Sequence, residues 1–226
     1  MEEINRKPII PIPTVKRFPS YLRILKQNKA SGITHISATM LAEELGLKPI
    51  QVRKDISCTG IEGKPKVGFE IEELIESITH VLGWDNSTDA LIVGAGNMGM
   101  ALAQYQGFES YGLRIVAIFD KSPAKIGQKI GSLTVQSIDT INQYIKTNRI
   151  AIAVITVPAS SAQSVADLLV KCGIRAIWNF APKDLKLPDE VVMQRTDLAT
   201  SFAVLSVKLR KKYGASSENE YSDEEI

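Results

Sequence analysis

Along the first third of the chain the apolar positions fall at helical intervals. Tyr21, Leu22, Ile24 and Leu25 predict a first helix, preceded by an extended arm punctuated by Pro8, Pro11 and Pro13. Ser37 has the residue type and place of an N-cap for a short helix over 39–45, which Gly46 ends. Pro49 suits the first turn of the next helix, because that position needs no N–H donor, and the helix runs to about Ser57. Two short helices joined by a tight turn have the form of a helix-turn-helix. Gly60, Gly63 and Gly68 then flank Lys64, Pro65 and Lys66, the pattern of a β-hairpin with a basic tip, hence a winged helix. Ile71, Leu74, Ile75, Ile78, Val81 and Leu82 return to helical spacing.

Beyond the polar, turn-rich stretch 83–89 the pattern changes. Continuous apolar runs at 90–93, 115–119, 151–157 and 176–180 alternate with helical segments, one of them at 163–171. Continuous rather than alternating apolarity fits a parallel sheet covered on both faces, which makes the second part an α/β, doubly wound Rossmann-type domain. A final helix over 197–213 carries Leu198, Phe202, Leu205 and Leu209, widened by Ala199, Ala203, Val204 and Val207. That is more apolar circumference than one surface buries, so the helix is expected to pack into, or swap onto, a second copy in a homodimer. The expected organisation is a winged-helix DNA-binding domain over 1–84, a dinucleotide-binding domain over 85–196, a C-terminal dimerisation helix over 197–213, and a disordered acidic tail over 214–226.

Charge sharpens this division. The 226 residues sum to only +2. From Asn5 to Gly68, however, 12 Lys or Arg face 4 Asp or Glu, a net +8, and the last 13 residues carry 5 acidic groups and no basic one. A basic N-terminal domain is the electrostatic footprint of a nucleic-acid binder. The two cysteines, Cys58 and Cys172, form no CxxC or Cys/His cluster, which argues against structural zinc and for a reducing compartment. No secretory leader is visible, and no apolar run approaches a membrane span. The reading is a soluble cytoplasmic protein with no metal and no membrane partner.

The strongest chemical signal is Gly94-Ala95-Gly96-Asn97-Met98-Gly99, which follows a predicted strand, opens a helix, and has Asp120 21 residues beyond Gly99 at the end of the next strand. Gly94 permits the tight turn, Gly96 lets backbone approach a pyrophosphate, and Gly99 lets helix pack on strand. Asp120 accepts from adenosine ribose hydroxyls and repels a 2′-phosphate, which favours NAD⁺/NADH over the phosphorylated pair. In the helix Pro49–Ser57, Val52 and Ile56 face inward, while Gln51, Arg53, Lys54 and Ser57 are candidates to read base edges in the major groove. Lys16, Arg17, Lys64 and Lys66 are candidates for phosphates. Both histidines, His35 (read as a surface loop residue) and His80, precede the glycine motif, so the second domain has no histidine for acid–base hydride chemistry. Lys171, Lys183 and Tyr105 remain as conceivable catalytic groups. An NAD-dependent oxidoreductase and a CoA-binding Rossmann module therefore stay open as alternatives, although neither needs the basic domain.

These residues carry a resemblance. Ile12-Pro13 with Lys16-Arg17, Tyr21-Leu22-Arg23, Gln51-Val52-Arg53-Lys54-Asp55, Lys66-Val67-Gly68-Phe69, the glycine motif, Thr156-Val157-Pro158, Trp178-Asn179-Phe180-Ala181-Pro182 and Asp197-Leu198-Ala199 occur in the order and spacing of the Rex family of redox-sensing repressors. The resemblance implies a non-enzymatic homodimer that binds palindromic operator double-stranded DNA when NADH is low and releases it when NADH rises. It adds Thr156 and Asn179 to the cofactor residues, and implies a nicotinamide pocket of Val157, Pro158, Phe180 and Tyr105. It also implies that polar contacts of Arg23, Tyr105 and Asp197 are rearranged by NADH. The chain departs from the family pattern at Cys58-Thr59, where an aromatic pair is usual, and at Lys64-Pro65-Lys66, where a Lys/Arg-Gly turn is usual.

Overall fold

A computed structural model describes residues 10–213 of the chain. The described chain divides into two compact units: residues up to Ser87 together with Ser110–Gly112, and Thr88–Glu109 with the chain from Leu113 onward. Pro8 and the acidic stretch 214–226 lie outside the described residues.

The first unit is helical with one small antiparallel pairing. Helix α1 (Ile12–Ala30) starts well before Tyr21, so the part of the expected arm from Ile12 onward, Pro13 included, is helix. Pro13 lies in the first turn, where a missing N–H costs nothing, and Pro19 is accommodated on the exposed side of the helix. Strand β1 (His35–Ile36) is followed by α2 (Ala38–Leu45), whose Met40 N–H donates to the Ser37 hydroxyl at 3.1 Å, and Gly46 closes the helix in the left-handed conformation. Helix α3 (Pro49–Ser57) follows. His35 therefore belongs to a strand rather than a loop, paired opposite Glu70.

The expected hairpin is tighter than its sequence suggested. Lys64 and Gly68 form a single bridge, and Val67 N–H donates to the Lys64 carbonyl at 3.2 Å. Lys66 has φ of 62°. Pro65 followed by positive φ is the form of a type II turn, a position that favours glycine. The chain then enters β2 (Phe69–Glu70), which pairs with β1 instead of folding back along 60–63. Gly68 permits this, since a Cβ there would lie 2.4 Å from the Ile36 carbonyl oxygen. Helix α4 (Ile71–Val81) completes the unit and buries Leu74 and Ile78 against Phe18, Tyr21, Leu41, Val52 and Ile56.

One carboxylate fixes α3 to α1. Asp55 is fully buried and accepts from Thr14 (2.9 Å), from Arg17 Nε and Nη2 (2.6 and 2.7 Å), from the Tyr21 hydroxyl (2.7 Å) and from the Gln51 amide (3.0 Å). Burial alone would raise its pKa. The Arg17 guanidinium and the Tyr21, Thr14 and Gln51 donors outweigh burial and hold the carboxyl below its ordinary range. Tyr21 moves the opposite way, raised by burial and by its bond to Asp55.

The second unit carries a seven-stranded sheet. In chain order its strands are β3 (Thr88–Val93), β4 (Leu113–Asp120), β5 (Lys129–Ile130), β6 (Leu133–Ser137), β7 (Ile152–Ile155), β8 (Ala176–Asn179) and β9 (Val192–Arg195). Their spatial order is β5-β6-β4-β3-β7-β8-β9, all parallel except β5. Without that short edge strand, this is the 3-2-1-4-5-6 order of the doubly wound dinucleotide fold. Four of these strands match the continuous apolar runs. β5, β6 and β9 were not expected; they are short strands of mixed composition at or next to the sheet edges, and so lack a continuous apolar signal.

Alternation along the strands splits the core in two. Leu91, Val93, Phe119 and Ile155 face α6 (Ile141–Asn148) and α7 (Ala159–Lys171), while Ile92, Ile118 and Val154 face the side of α5 (Asn97–Ala103). The described residues end in α8 (Leu198–Tyr213), with Asp197 accepting from Ala199 N–H at 2.9 Å. None of its residues is buried, and the apolar side chains from Leu198 to Leu209 include positions 52% to 68% exposed.

Removing the Asp55 carboxylate leaves Arg17 and Tyr21 without their shared acceptor, so Asp55→Ala should cost about 3 kcal/mol in denaturant unfolding. Because the folded pKa of Asp55 is depressed, its contribution is complete above about pH 4 and is lost as the pH falls through the folded value. Wild type and variant should therefore converge in stability under acid. A constant difference down to low pH contradicts the assignment.

Candidate functional sites

The parallel strands β3 and β7 end side by side where the strand order reverses, the place where doubly wound sheets open a crevice. The chain leaves β3 through Gly94, at φ 109°, and re-enters helix at α5. A Cβ at Gly94 would lie 2.9 Å from the Thr156 backbone, and one at Gly99 only 1.9 Å from the Gly94 carbonyl oxygen. The Thr156 hydroxyl holds the turn from the other side, donating toward the carbonyls of Gly94 (2.8 Å) and Val93 (3.1 Å). Glycine is thus required at 94 and 99, and the first N–H groups of α5 are delivered to the crevice.

A cavity of about 560 Å³ opens there. Gly94, Gly96, Asn97, Met98, Asp120, Thr156, Val157, Pro158 and Phe180 line it. Asp120, at the end of β4, is mostly buried and accepts from Ala95 N–H (2.7 Å), Ser122 N–H (2.8 Å) and the Lys125 ammonium (3.2 Å). Burial pushes its pKa up, but the Ser122 and Ala95 amides and Lys125 outweigh it and bring it down, so the group is a carboxylate at neutral pH. The glycine cradle, the oriented carboxylate and the apolar walls of Val157, Pro158 and Phe180 fit an NAD-type dinucleotide.

The remaining expected cofactor residues sit elsewhere. Ala95 is buried and contributes its N–H to Asp120; Gly99 is packing rather than wall. Asn179 is fully buried, its amide tying the carbonyl of Lys183 to the N–H of Ala181, so it shapes the following loop from within. Tyr105 does not join Val157, Pro158 and Phe180 in lining this cavity. It is 52% exposed and lines a different cavity with Phe108, Glu109 and Leu133. The turn after Leu102 carries it away from Val157 and Pro158. Asp197 bonds locally to Arg195 (2.8 Å) and to Ala199, and Arg23 lies on the other unit, on α1. Sequence reasoning missed Lys125, Ser122, Ser161 and Ile138, which also line the cavity. Only the five-residue distance from Asp120 to Lys125 hinted at that ion pair.

On the first unit, Arg53, Lys54 and Ser57 are exposed on α3, and Lys64 and Lys66 are exposed on the turn beyond it. Arg53 and Ser57 share a groove with Lys64, Lys66 and the N-terminal end of α2. Lys16 is exposed on α1. Arg17 and Gln51 are half-buried and donate to Asp55, and through those bonds they hold α3 in place. Among the described residues no cluster of His, Cys, Asp or Glu is arranged to hold a metal, and no helix is long and apolar enough to cross a membrane.

The family model described as "CoA binding domain" matches residues 85–183, and the one described as "Putative DNA-binding protein N-terminus" matches 9–57. A redox-sensing transcriptional repressor Rex from Treponema denticola is 45% identical over 88% of this chain and 95% of its own. The chain belongs to the Rex family of redox-sensing transcriptional repressors. A Rex from a Thermoanaerobacter species is 36% identical over 92% of this chain and 93% of its own. Among solved structures, RSP in complex with β-NAD⁺ and operator DNA is 34% identical, covers 95% of this chain and 99% of its own, and superposes with a TM-score of 0.85. RSP in complex with β-NADH, also 34% identical, covers 94% and 100% with a TM-score of 0.82. These Rex relatives are transcriptional repressors matched over most of the chain, and neither the oxidoreductase nor the CoA-binding alternative is favoured.

A methyl group at Gly99 has nowhere to go. Gly99→Ala should cost about 1–3 kcal/mol, lowering Tm by several degrees at roughly 2–4 °C per kcal/mol, and should weaken NADH binding at least tenfold in a fluorescence titration. Unchanged Tm and NADH affinity would show that the turn is not packed as described.

Proposed function

We propose that this Rex-family chain is a repressor that binds palindromic operator DNA as a homodimer in the cytoplasm and is released when NADH rises relative to NAD⁺. The observation that carries the reading is the pairing, in one chain, of an exposed basic recognition helix with a glycine-cradled crevice whose carboxylate is poised for an adenosine ribose. The relatives crystallised with operator DNA and with each nucleotide support it.

Arg53, Lys54 and Ser57 are assigned to the major groove, and Lys16, Lys64 and Lys66 to phosphates. Bound nicotinamide differs between its oxidised and reduced forms by one positive charge. Val157, Pro158 and Phe180 provide apolar walls that desolvate a cation and favour the neutral ring. A hundredfold discrimination needs only about 2.8 kcal/mol. The exposed α8 supports dimerisation, since such a face needs a second copy to cover it, and a dimer sets two recognition helices on the half-sites of a palindrome. Arg23, Tyr105 and Asp197 are assigned to the switch, with Asp197 placed to act at the first turn of α8.

In a gel-shift assay on palindromic operator DNA, NADH should release the chain at concentrations where NAD⁺ does not; indifference to both nucleotides rejects redox sensing. Tyr105→Phe and Asp197→Ala should blunt that release, and normal release by both removes them from the switch. Deleting residues 197–213 should abolish both the dimer and operator binding. A monodisperse dimer of the truncated chain refutes the role of α8.

A further inference from the structure

Four aromatic rings run from the cofactor cavity to the surface of the same unit. Phe180 forms part of the cavity wall. The Trp178 ring lies 4.9 Å from it, Phe108 lies 5.7 Å from Trp178, and Tyr105 lies 4.9 Å from Phe108. Trp178 does not line the cavity; it stands behind Phe180. Strand geometry explains the pairing, because residues two apart on an extended chain share a face.

Trp178 has a second attachment. Its indole N–H donates to the Thr196 hydroxyl at 2.7 Å, and the Thr196 N–H donates to the Asn179 carbonyl at 2.9 Å. The next residue, Asp197, accepts from the first turn of α8 and pairs with Arg195 at 2.8 Å. A single side chain therefore touches the wall of the cavity, the aromatic run to Tyr105, and Thr196, the residue before the Asp197 that anchors α8.

We propose that Trp178 is a positioning residue that carries occupancy of the dinucleotide cavity to the base of α8 and to Tyr105. The proposal rests on the redox-sensing reading above. Trp178 packs against Phe180 on one side and Phe108 on the other, so a shift of Phe180 on ligand binding would move the indole. The indole N–H gives the motion a directed outlet, because shifting the ring strains or breaks the bond to Thr196. Phenylalanine would keep most of the packing and lose that outlet. A ligand shifts a conformational equilibrium only through contacts that differ between the two states, and this bond is one that ring displacement alters.

The test uses the full-length chain with Trp178→Phe, which removes the N–H, and Thr196→Val, which removes its acceptor and leaves the cavity wall untouched. Both variants should bind NADH within threefold of wild type by NADH fluorescence. In both, the NADH-driven loss of affinity for an operator duplex should be at least tenfold smaller than in wild type. The chain has two tryptophans. In a Trp84→Phe background Trp178 alone emits; NADH should shift its emission maximum, and Thr196→Val should diminish the shift. Wild-type release by both variants overturns the proposal. So does loss of NADH binding in Trp178→Phe with normal release in Thr196→Val, which would make Trp178 only a wall. Wild-type operator binding that ignores NADH overturns the redox-sensing reading first, and is read without either variant.

Discussion

At Gly94 and Gly99, either side of the entry into α5, there is no room for a side chain. That single steric constraint organises the second unit. Gly94 must turn with positive φ against Thr156, and Gly99 must let the helix lie on the Gly94 carbonyl. With the backbone this close, Gly96, Asn97 and Met98 at the start of α5 line the open crevice. The same closeness lets Asp120, reaching across from β4, accept the Ala95 N–H. The carboxylate thus joins the glycine turn to the adjacent strand and presents a charge at the edge of the cavity. A cofactor site of this kind depends on packing before it depends on chemistry.

The DNA-facing unit depends in a comparable way on one buried carboxylate. Asp55 sits on α3 with its charge directed inward, and the donors it collects come mainly from α1. Burying a charge is unfavourable unless it is paired and hydrogen-bonded, so the network that satisfies Asp55 also sets where α3 lies. The outward residues Arg53, Lys54 and Ser57 inherit their placement from it. Lys66 shows a different compromise: a lysine occupies a turn position that glycine fits better, which places a charge at the tip of the turn at a conformational cost of order 1 kcal/mol.

Much of this was legible in sequence because it is local. Ser37 and Gly46 bound a helix by their own side-chain and backbone properties, and the glycine motif between a strand and a helix specifies its turn. What was not legible depends on partners distant in sequence. Arg17 and Gln51 read as groups free for DNA, and only the fold shows that both serve Asp55. Tyr105 read as a cofactor residue, but the turn after α5 carries it to another cavity. The outer strands β6 and β9 have no pattern of their own, and form on the backbone that β4 and β8 offer them. β2 finds its partner at β1 rather than within its own hairpin for a related reason: Gly68 allows close approach to Ile36.

The central claim is that the nucleotide crevice and the recognition helix of this chain are thermodynamically coupled. Linkage makes that claim reciprocal: whatever factor NADH takes from operator affinity, the operator must take from NADH affinity. The direct measurement is NADH affinity of the full-length dimer with and without saturating palindromic operator duplex, set beside operator affinity with and without saturating NADH. Two equal factors, each of about tenfold or more, are the predicted result. An NADH affinity unchanged by operator would contradict the account.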